Sequence, residues 1–398
     1  MYSSRPIHVS NPPFKRTREI RVSQNQSYEV QITGTGIYDC TDTVVRWLGN
    51  SPALVVMTPT VASLYGIDFV ARLEENGALV SSQILACTEN SKTLAAVELV
   101  CARAEKLKLE RRSVLVGLGG GVCTDIVTVA ASLIRRGIRH VRIPTTLIGQ
   151  VDAGIGIKGA VNFNGRKSYL GCFYPPHRVL MVPHFLGTLS ACHLQDGISE
   201  IIKIALVSDA ALLAQLEALT SDMLSNELRA NSSTAVDLIW RSATVMLDEL
   251  EPNLFEDQEY KRAVDFGHTF SPLIEAASGY TISHGCAVAI DMALTSILAE
   301  YCGLLSAARR DRILTLLTTH RLPVWAPELG LDLCREALHA ATLHRWGEPN
   351  LVLPVNDGGV HYLSSASEIT DSMFANAIGY LKTLHRSTMR LRPIRTLL

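Results

Sequence analysis

The first chemistry suggested by this chain comes from one carboxylate and two imidazoles. His268 follows a glycine in VDFGHTFSPLIE, residues 264–275, where an apolar run enters a predicted helix. His284 follows a turn segment in ISHGCAV and opens the next predicted helix. Glu200 lies in DGISEIIKIALV, residues 196–207, with Lys203 three residues on and on the same helix face. Ile201, Ile202, Ile204, Ala205 and Leu206 flank that pair, so the helix is expected to be buried almost all round. Buried charges need partners or a metal. Three protein ligands with a fourth position open is the pattern of catalytic zinc. A plain ion pair and two structural histidines are the competing reading, because spacing alone does not bring the three together. Pro272 stands four residues after His268, where a second histidine would share its face.

Two glycine-rich segments suggest anion and hydroxyl recognition. GLGGGVCTD, residues 117–125, closes a predicted strand and opens a helix. Backbone without Cβ lets a pyrophosphate approach, and a helix N-terminus favours its charge. The register is not the usual G-x-G-x-x-G, so a tight strand–helix turn is the alternative. PTTLIGQVDAGIGIKGAVNFNGRKSYLG, residues 144–171, sets Asp152, Lys158, Asn162, Lys167 and Ser168 along a glycine-spaced segment. Such a density of polar groups suits hydroxyl and phosphate contacts, or else a solvated hairpin.

The elements that must position these groups fall into two textures. Residues 1–18 read as a loose arm, and REIRVSQNQSYEVQITG alternates like a hairpin. ALVVMT, ALVSSQILA, SVLVGLGGG and RHVRIPTT then read as strands separated by helical patterns. SKTLAAVELVCARAEKLKLE is an amphipathic helix opened by Ser91, and VCTDIVTVAASLIRRG is a helix stopped by Gly137. This alternation predicts a parallel sheet with helical crossovers, a Rossmann-like half. Beyond about residue 190 helical patterns dominate, at 191–220, 228–250, 268–278, 284–303, 306–319, 331–343 and 367–384, with LVLPV as a short strand signal. The expected organisation is an α/β domain over 1–188 and an all-α domain over 189–398, with a site in the cleft between them. The basic tail HRSTMRLRPIRTLL is expected to be mobile or to strap onto a neighbour.

Composition narrows the function classes. With 398 residues, 47% apolar and 19% charged, the chain is globular in character and long enough for two cores. A net charge of −1 gives no field to recruit nucleic acid or an anionic membrane. No apolar run approaches the ~20 residues of a membrane span, and the N-terminus lacks the apolar core of a signal peptide. The nine cysteines contain no C-x-x-C pair, so a cytoplasmic protein with reduced thiols and no cysteine-held metal is expected.

Taken together, GGGVCTD, RRG, PTTL, VDAGIGIK, VN, GISEIIK, GHTF and HGCAV, in this order and spacing between Glu89 and Pro354, resemble the sugar phosphate cyclases, the family of dehydroquinate synthase. The resemblance implies the fold of that family, a Rossmann-like α/β domain followed by a helical domain. It implies NAD⁺ and zinc as cofactors, with cobalt as an alternative metal. Glu89, Lys92, Gly120, Gly121, Val122 and Asp125 would hold NAD⁺, with Thr145, Thr146, Thr188, Asp152 and Lys167 completing that set. Zinc would rest on Glu200, His268 and His284. Asp152, Lys158, Asn162, Lys167, Ser168, Lys203 and Asp265 would line a sugar phosphate. His344 and Arg345 fall near the register of a phosphate ligand, and Arg136 would reach the phosphate from a second subunit, which implies a homodimer. In the implied reaction NAD⁺ oxidises a ring hydroxyl whose oxygen zinc polarises. Phosphate is then eliminated, the hydride returns, the ring opens, and an intramolecular aldol step closes a carbocycle.

The resemblance also bears on the substrate. Dehydroquinate synthase holds a substrate carboxylate with a lysine and a histidine, and those positions here are Met246 and Pro272. Neither donates a charge-assisted hydrogen bond, so a carboxylate there would be buried without a partner. Asp265 replaces an asparagine, and Met246, Asp265, Pro272 and PNLFE together resemble the 2-epi-5-epi-valiolone synthases. Those enzymes cyclise sedoheptulose 7-phosphate, whose corresponding end is a neutral CH₂OH. The 2-epi-valiolone, desmethyl-4-deoxygadusol and 3-dehydroquinate synthases are the neighbouring alternatives. An iron- or zinc-dependent alcohol dehydrogenase, of similar architecture, is a further one. Three departures stand out. Ser168 replaces a common asparagine, either Lys261 or Arg262 occupies the register of an arginine, and Thr58 and Thr60 replace an adenine-side acid.

Overall fold

The computed structural model describes residues 26–33, 36–257, 261–344, 349–356 and 358–391. The chain forms β1 (Glu29–Ile32), β2 (Ala53–Met57), β3 (Val80–Ile84), β4 (Val114–Gly119), β5 (Arg139–Pro144), β6 (Lys158–Phe163), β7 (Arg166–Phe173) and β8 (Arg178–Met181). Six of these make one sheet in the order β1-β8-β5-β4-β2-β3, with every pairing parallel. The central strands β2 and β4 are buried at every residue, as expected where helices cover both faces. Alternation along them divides two cores. Val55, Met57, Val116 and Leu118 face Phe69 and Leu73, while Leu54, Val56 and Leu115 face Val97, Ile126 and Val127.

β6 and β7 form a separate antiparallel hairpin. Its turn is Asn164–Gly165, both residues left-handed at φ 48° and 76°, the backbone that a tight hairpin turn demands. From Ala191 onward the described chain is mainly helical, apart from an antiparallel pair, β9 (Leu351–Pro354) and β10 (Val360–Leu363). The Ala191–Ser208 and His284–Tyr301 helices run through the middle of one large core that also takes in Leu147, Val151 and Ile155 from the segment before β6. No helix among the described residues is long and apolar enough to cross a membrane.

Several expectations from the sequence need correction. The hairpin expected over residues 18–34 has its first arm, 18–25, outside the described residues; its second arm, β1, pairs in parallel with β8. The pattern at 191–220 breaks at Asp209, whose carboxylate accepts the Ala211 and Leu212 N–H groups at 3.0 Å and starts a new helix, Ala210–Glu217. The stretch 228–250 contains a stop at left-handed Asn231, with Ser221–Ala230 before it and Ser233–Leu250 after it. The helix expected from 268 begins only at Ser271, so His268 sits in the turn ahead of it. The arm over residues 1–18 and residues 392–398 of the basic tail lie outside the described residues, whereas 385–391, expected to be mobile, continue the Asp371–Leu391 helix.

Candidate active site

Glu200, His268 and His284 meet. One oxygen and two ring nitrogens lie within 4.8 Å of one another, with His284 Nε2 3.2 Å and His268 Nε2 3.8 Å from Glu200 Oε1. Glu200 is 1% exposed, and neither of its oxygens receives a hydrogen bond of regular geometry, although Lys203 Nζ lies 2.5 Å from Oε2. A buried carboxylate short of donors, faced by two imidazole nitrogens, fits a divalent cation. The outer ring nitrogens are engaged elsewhere. His268 Nδ1 donates to the Phe266 carbonyl at 3.1 Å, and His284 Nδ1 lies 2.9 Å from Glu275 Oε1. Both rings therefore turn Nε2 to the cluster. Glu275 also accepts from Lys167 Nζ at 2.6 Å, which ties the β6–β7 hairpin to a metal-type histidine.

The charges at the cluster follow from burial and neighbours. Burial, with Lys203 beside it, pushes His268 down to about 4, so its imidazole is neutral near pH 7. Burial opposes charge on His284 as well, but Glu200 and Glu275 outweigh it and raise it to about 9. A proton is thus held where two carboxylates converge, a place that equally suits a cation. Burial favours the neutral form of Glu200, yet Lys203 and the two histidines hold its pKa well below the ordinary value. Lys203 is 2% exposed and stays charged, because Glu200 and Asp152 outweigh the cost of burial.

Close packing fixes where these side chains start. A Cβ on Gly285 would lie 2.3 Å from Asp196 Cα, so glycine lets the His284–Tyr301 helix touch the Ala191–Ser208 helix backbone to backbone. Asp196, one turn before Glu200, accepts the Gly285 N–H at 2.9 Å and the Ser283 hydroxyl at 2.5 Å. On the other side, fully buried Arg142 donates to the Gly156 and Lys158 carbonyls at 2.7 and 2.8 Å and to Thr128 Oγ1 at 2.8 Å. That arginine pins the loop that carries Asp152 and Lys158.

A cavity of about 160 Å³ opens beside the cluster, walled by Asp152, Lys158, Lys203, Met246, Asp265 and His268. A second, of about 390 Å³, passes Arg262, Asp265 and His268 to reach Pro272, Leu273 and Ala337. Glu256 lines both and ion-pairs with Lys158 and with Arg262. Arg262 also pairs with Asp265 at 2.6 Å, and Lys203 Nζ stands 3.7 Å from Asp152 Oδ2. A third cavity, about 850 Å³, lies over the glycine turn between Thr58, Thr60, Glu89, Gly120, Thr146 and Thr188. A Cβ on Gly120 would come within 3.0 Å of Thr146 Cγ2, and no side chain caps the Gly121–Leu133 helix that starts there. Its first N–H groups are therefore open to a phosphate oxygen.

The comparisons with known proteins agree with this arrangement. Residues 82–196 match the family described as 3-dehydroquinate synthase N-terminal, and residues 197–342 match 3-dehydroquinate synthase C-terminal. The chain belongs to the dehydroquinate synthase-like sugar phosphate cyclases. A 2-epi-5-epi-valiolone synthase of Streptomyces albus is 38% identical over 358 residues, 87% of each chain. A 3-dehydroquinate synthase of Microcystis aeruginosa is 35% identical over 309 residues, 77% of this chain and 83% of that one. A solved 2-epi-5-epi-valiolone synthase from Streptomyces hygroscopicus subsp. jinggangensis, with NAD⁺ and Zn²⁺ bound, aligns at a TM-score of 0.85 and 38% identity, covering 92% of this chain and 99% of that one.

The cyclase fold distributes the residues singled out from sequence unevenly. Gly120, Gly121, Val122, Thr145, Thr146, Thr188 and Glu89 line the large cavity together, as do Thr58 and Thr60. Lys92 and Asp125 do not. They pair with each other at 2.6 Å, and Lys92 Nζ also donates to Ser168 Oγ at 3.2 Å. Asn162 lines none of the three cavities, its amide donating to Glu89 Oε1 at 2.9 Å and its oxygen accepting the Ser168 N–H at 2.7 Å. Lys167 serves Glu275 as described. Of the neighbouring cations Lys261 and Arg262, it is Arg262 that lines both small cavities, while Lys261 is exposed. Met246 and Pro272 open onto different cavities. Arg136 is exposed with left-handed backbone, φ 67°, and lines none of these cavities. His344 ends the Leu331–His344 helix, and Arg345 lies outside the described residues. Sequence reasoning missed Glu275, Arg142, Asp196 and Glu256. Only the isolated acids and base within otherwise apolar stretches could have signalled the first three.

Proposed function

We propose that this cyclase is a 2-epi-5-epi-valiolone synthase, converting sedoheptulose 7-phosphate to a carbocycle with release of phosphate. The observation that carries the reading is that, among the described residues, the two small cavities offer a substrate carboxylate no free cation: Lys158 and Lys203 are paired with Glu256 and Glu200. Met246, 1% exposed, and Pro272 offer none, and Arg262, between the two cavities, is already paired with Glu256 and Asp265. Relatives at 36–40% identity over 80–89% of the chain with the same name support it.

Glu200, His268 and His284 would hold zinc or cobalt, and the cavity over Gly120 and Gly121 would hold NAD⁺. When bound, these supply a Lewis acid and a hydride acceptor that returns its hydride within one turnover. The chain's own residues do the rest. Lys203 and Asp152 face the small cavity and can hold or pass a proton at a substrate hydroxyl. Lys158 would receive the phosphate, exchanging Glu256 for the substrate's anion, while Arg262 stays paired with Glu256 and Asp265, and Asp265 would accept from sugar hydroxyls. Lys92, Asp125, Asn162, Lys167 and Ser168 act by shaping the walls between the two sites. The division into a cofactor domain over 1–188 and a metal- and substrate-binding domain over 189–398 belongs to this proposal, as does a cytoplasmic location. A homodimer is supported by the exposed Phe163, Tyr169 and Phe173 on the β6–β7 hairpin.

The test is to incubate the metal-loaded protein with NAD⁺ and either sedoheptulose 7-phosphate or the carboxylated heptulosonate phosphate that dehydroquinate synthase uses. Phosphate release is followed and the cyclitol identified by NMR. Release from the heptulose alone, with 2-epi-5-epi-valiolone formed, is expected. Release from the carboxylated sugar would overturn the reading.

A further inference from the structure

We infer that Asp291 is a positioning residue for the metal site: its carboxylate fixes the turn that carries His268. This rests on the assignment of Glu200, His268 and His284 as metal ligands. Asp291 lies in the middle of the His284–Tyr301 helix, is fully buried, and is the one charged residue between Gly285 and Ala299, a stretch otherwise of apolar and small side chains. An acid there has no solvent to charge against, so its partners explain its presence. One oxygen, Oδ2, accepts the Phe270 N–H at 2.5 Å and the Ser271 N–H at 2.9 Å. Oδ1 accepts the Thr295 hydroxyl at 2.8 Å. Successive N–H groups just after His268 thus converge on one carboxylate.

The same helix grips the turn from its other end. Gly267 is left-handed at φ 75°, and a Cβ there would come within 3.0 Å of Met292 Cγ and Val288 Cγ1. His268 is therefore held between a glycine pressed on Val288 and Met292 and a backbone run pinned by Asp291. His284, the first residue of that helix, is itself one of the cluster. One rigid element consequently sets two ligands, the first by starting with it and the second by casting the turn. Pro272 follows directly after the pinned run and, as a proline, has no N–H to contribute, so the pin ends where the cavity wall begins.

The experiment compares wild type with Asp291→Asn and Thr295→Val. Asparagine keeps the shape and one acceptor but puts an amide N–H towards backbone donors; valine removes only the hydroxyl that orients the carboxylate. Metal affinity is read by chelator competition, ligand geometry by the visible absorption of the Co²⁺-loaded protein, and fold by circular dichroism and thermal melting. Asp291→Asn is expected to remain folded, to bind metal about 10–100-fold more weakly, and to show an altered Co²⁺ spectrum. NAD⁺ affinity should be unchanged, and Thr295→Val should shift the same readouts in the same direction but less. An unaltered Co²⁺ spectrum and metal affinity in Asp291→Asn would overturn the inference, whatever the melting temperature. Wild type that binds no metal would overturn the ligand assignment and the inference with it.

Discussion

Replacing Glu275 by glutamine tests whether the metal site depends on its support across the β6–β7 hairpin. Glu275 is 4% exposed and accepts from His284 Nδ1 at 2.9 Å and from Lys167 Nζ at 2.6 Å. Both are charge-assisted, because the carboxylate is held ionised: burial alone would raise its pKa, but His284 and Lys167 outweigh it and bring it down to about 2. Glutamine retains one acceptor oxygen, which can serve His284 or Lys167 but not both. One charge-assisted hydrogen bond is lost, worth roughly 1.5–3 kcal/mol, and every ~1.4 kcal/mol is tenfold in affinity. Metal affinity should therefore fall about 10–100-fold, the range typical of the carboxylate behind a ligating histidine. Chelator competition measures it directly. Lys167→Met provides the control, since it breaks only the outer contact and leaves Glu275 with His284. It should weaken metal binding less, and adding it to Glu275→Gln should cost little more, because the two share one chain of contacts. Metal affinity unchanged in Glu275→Gln would refute the argument, and so would a larger loss in Lys167→Met.

Gly285→Ala should force apart the helices bearing Glu200 and His284, since its Cβ meets Asp196 backbone at 2.3 Å; a lowered melting temperature with loss of bound metal is expected. Arg142→Met should leave the Gly156 and Lys158 carbonyls and Thr128 without their donor. The cost is of order 1–3 kcal/mol per stranded group, read by chemical denaturation, and a fall in phosphate-release rate should accompany it. Met246→Lys combined with Pro272→His should lower turnover of sedoheptulose 7-phosphate by at least about 10-fold, the worth of one misplaced charge-assisted contact. It should also raise the relative rate with the carboxylated heptulosonate phosphate, both read by phosphate release.

What the sequence made legible was whatever depends on local pattern. The buried strands β2 and β4 read as unbroken apolar runs because both faces are covered. The glycine turn read as a phosphate cradle or a tight turn; in the structure it is an uncapped helix start where a Cβ on Gly120 would press on Thr146 Cγ2 at 3.0 Å. The helix bearing Glu200 and Lys203 read as buried, and it is. What stayed hidden depends on contacts between distant segments. Glu275 looks like an ordinary acid in SPLIEAA until Lys167, 108 residues away, and His284 close on it. Arg142 looks like a strand-surface cation until three distant acceptors surround it.

Met246 and Pro272 are the most instructive case. In sequence they read as two losses of cation from one carboxylate site. In space they open onto two cavities, with Glu256 and Arg262 between them. Their agreement is therefore not two walls of one pocket losing charge together. A substrate end near either one would meet the Glu256–Arg262–Asp265 group, in which Arg262 is already matched by two carboxylates. A carboxylate brought by substrate would add a third negative charge to a group in which Glu256 and Asp265 already balance Arg262 and Lys158. A hydroxymethyl end brings no charge and can both donate to Glu256 or Asp265 and accept from Arg262. Discrimination against a carboxylate thus rests on the acids that already occupy Arg262 as much as on the two side chains that lack a cation.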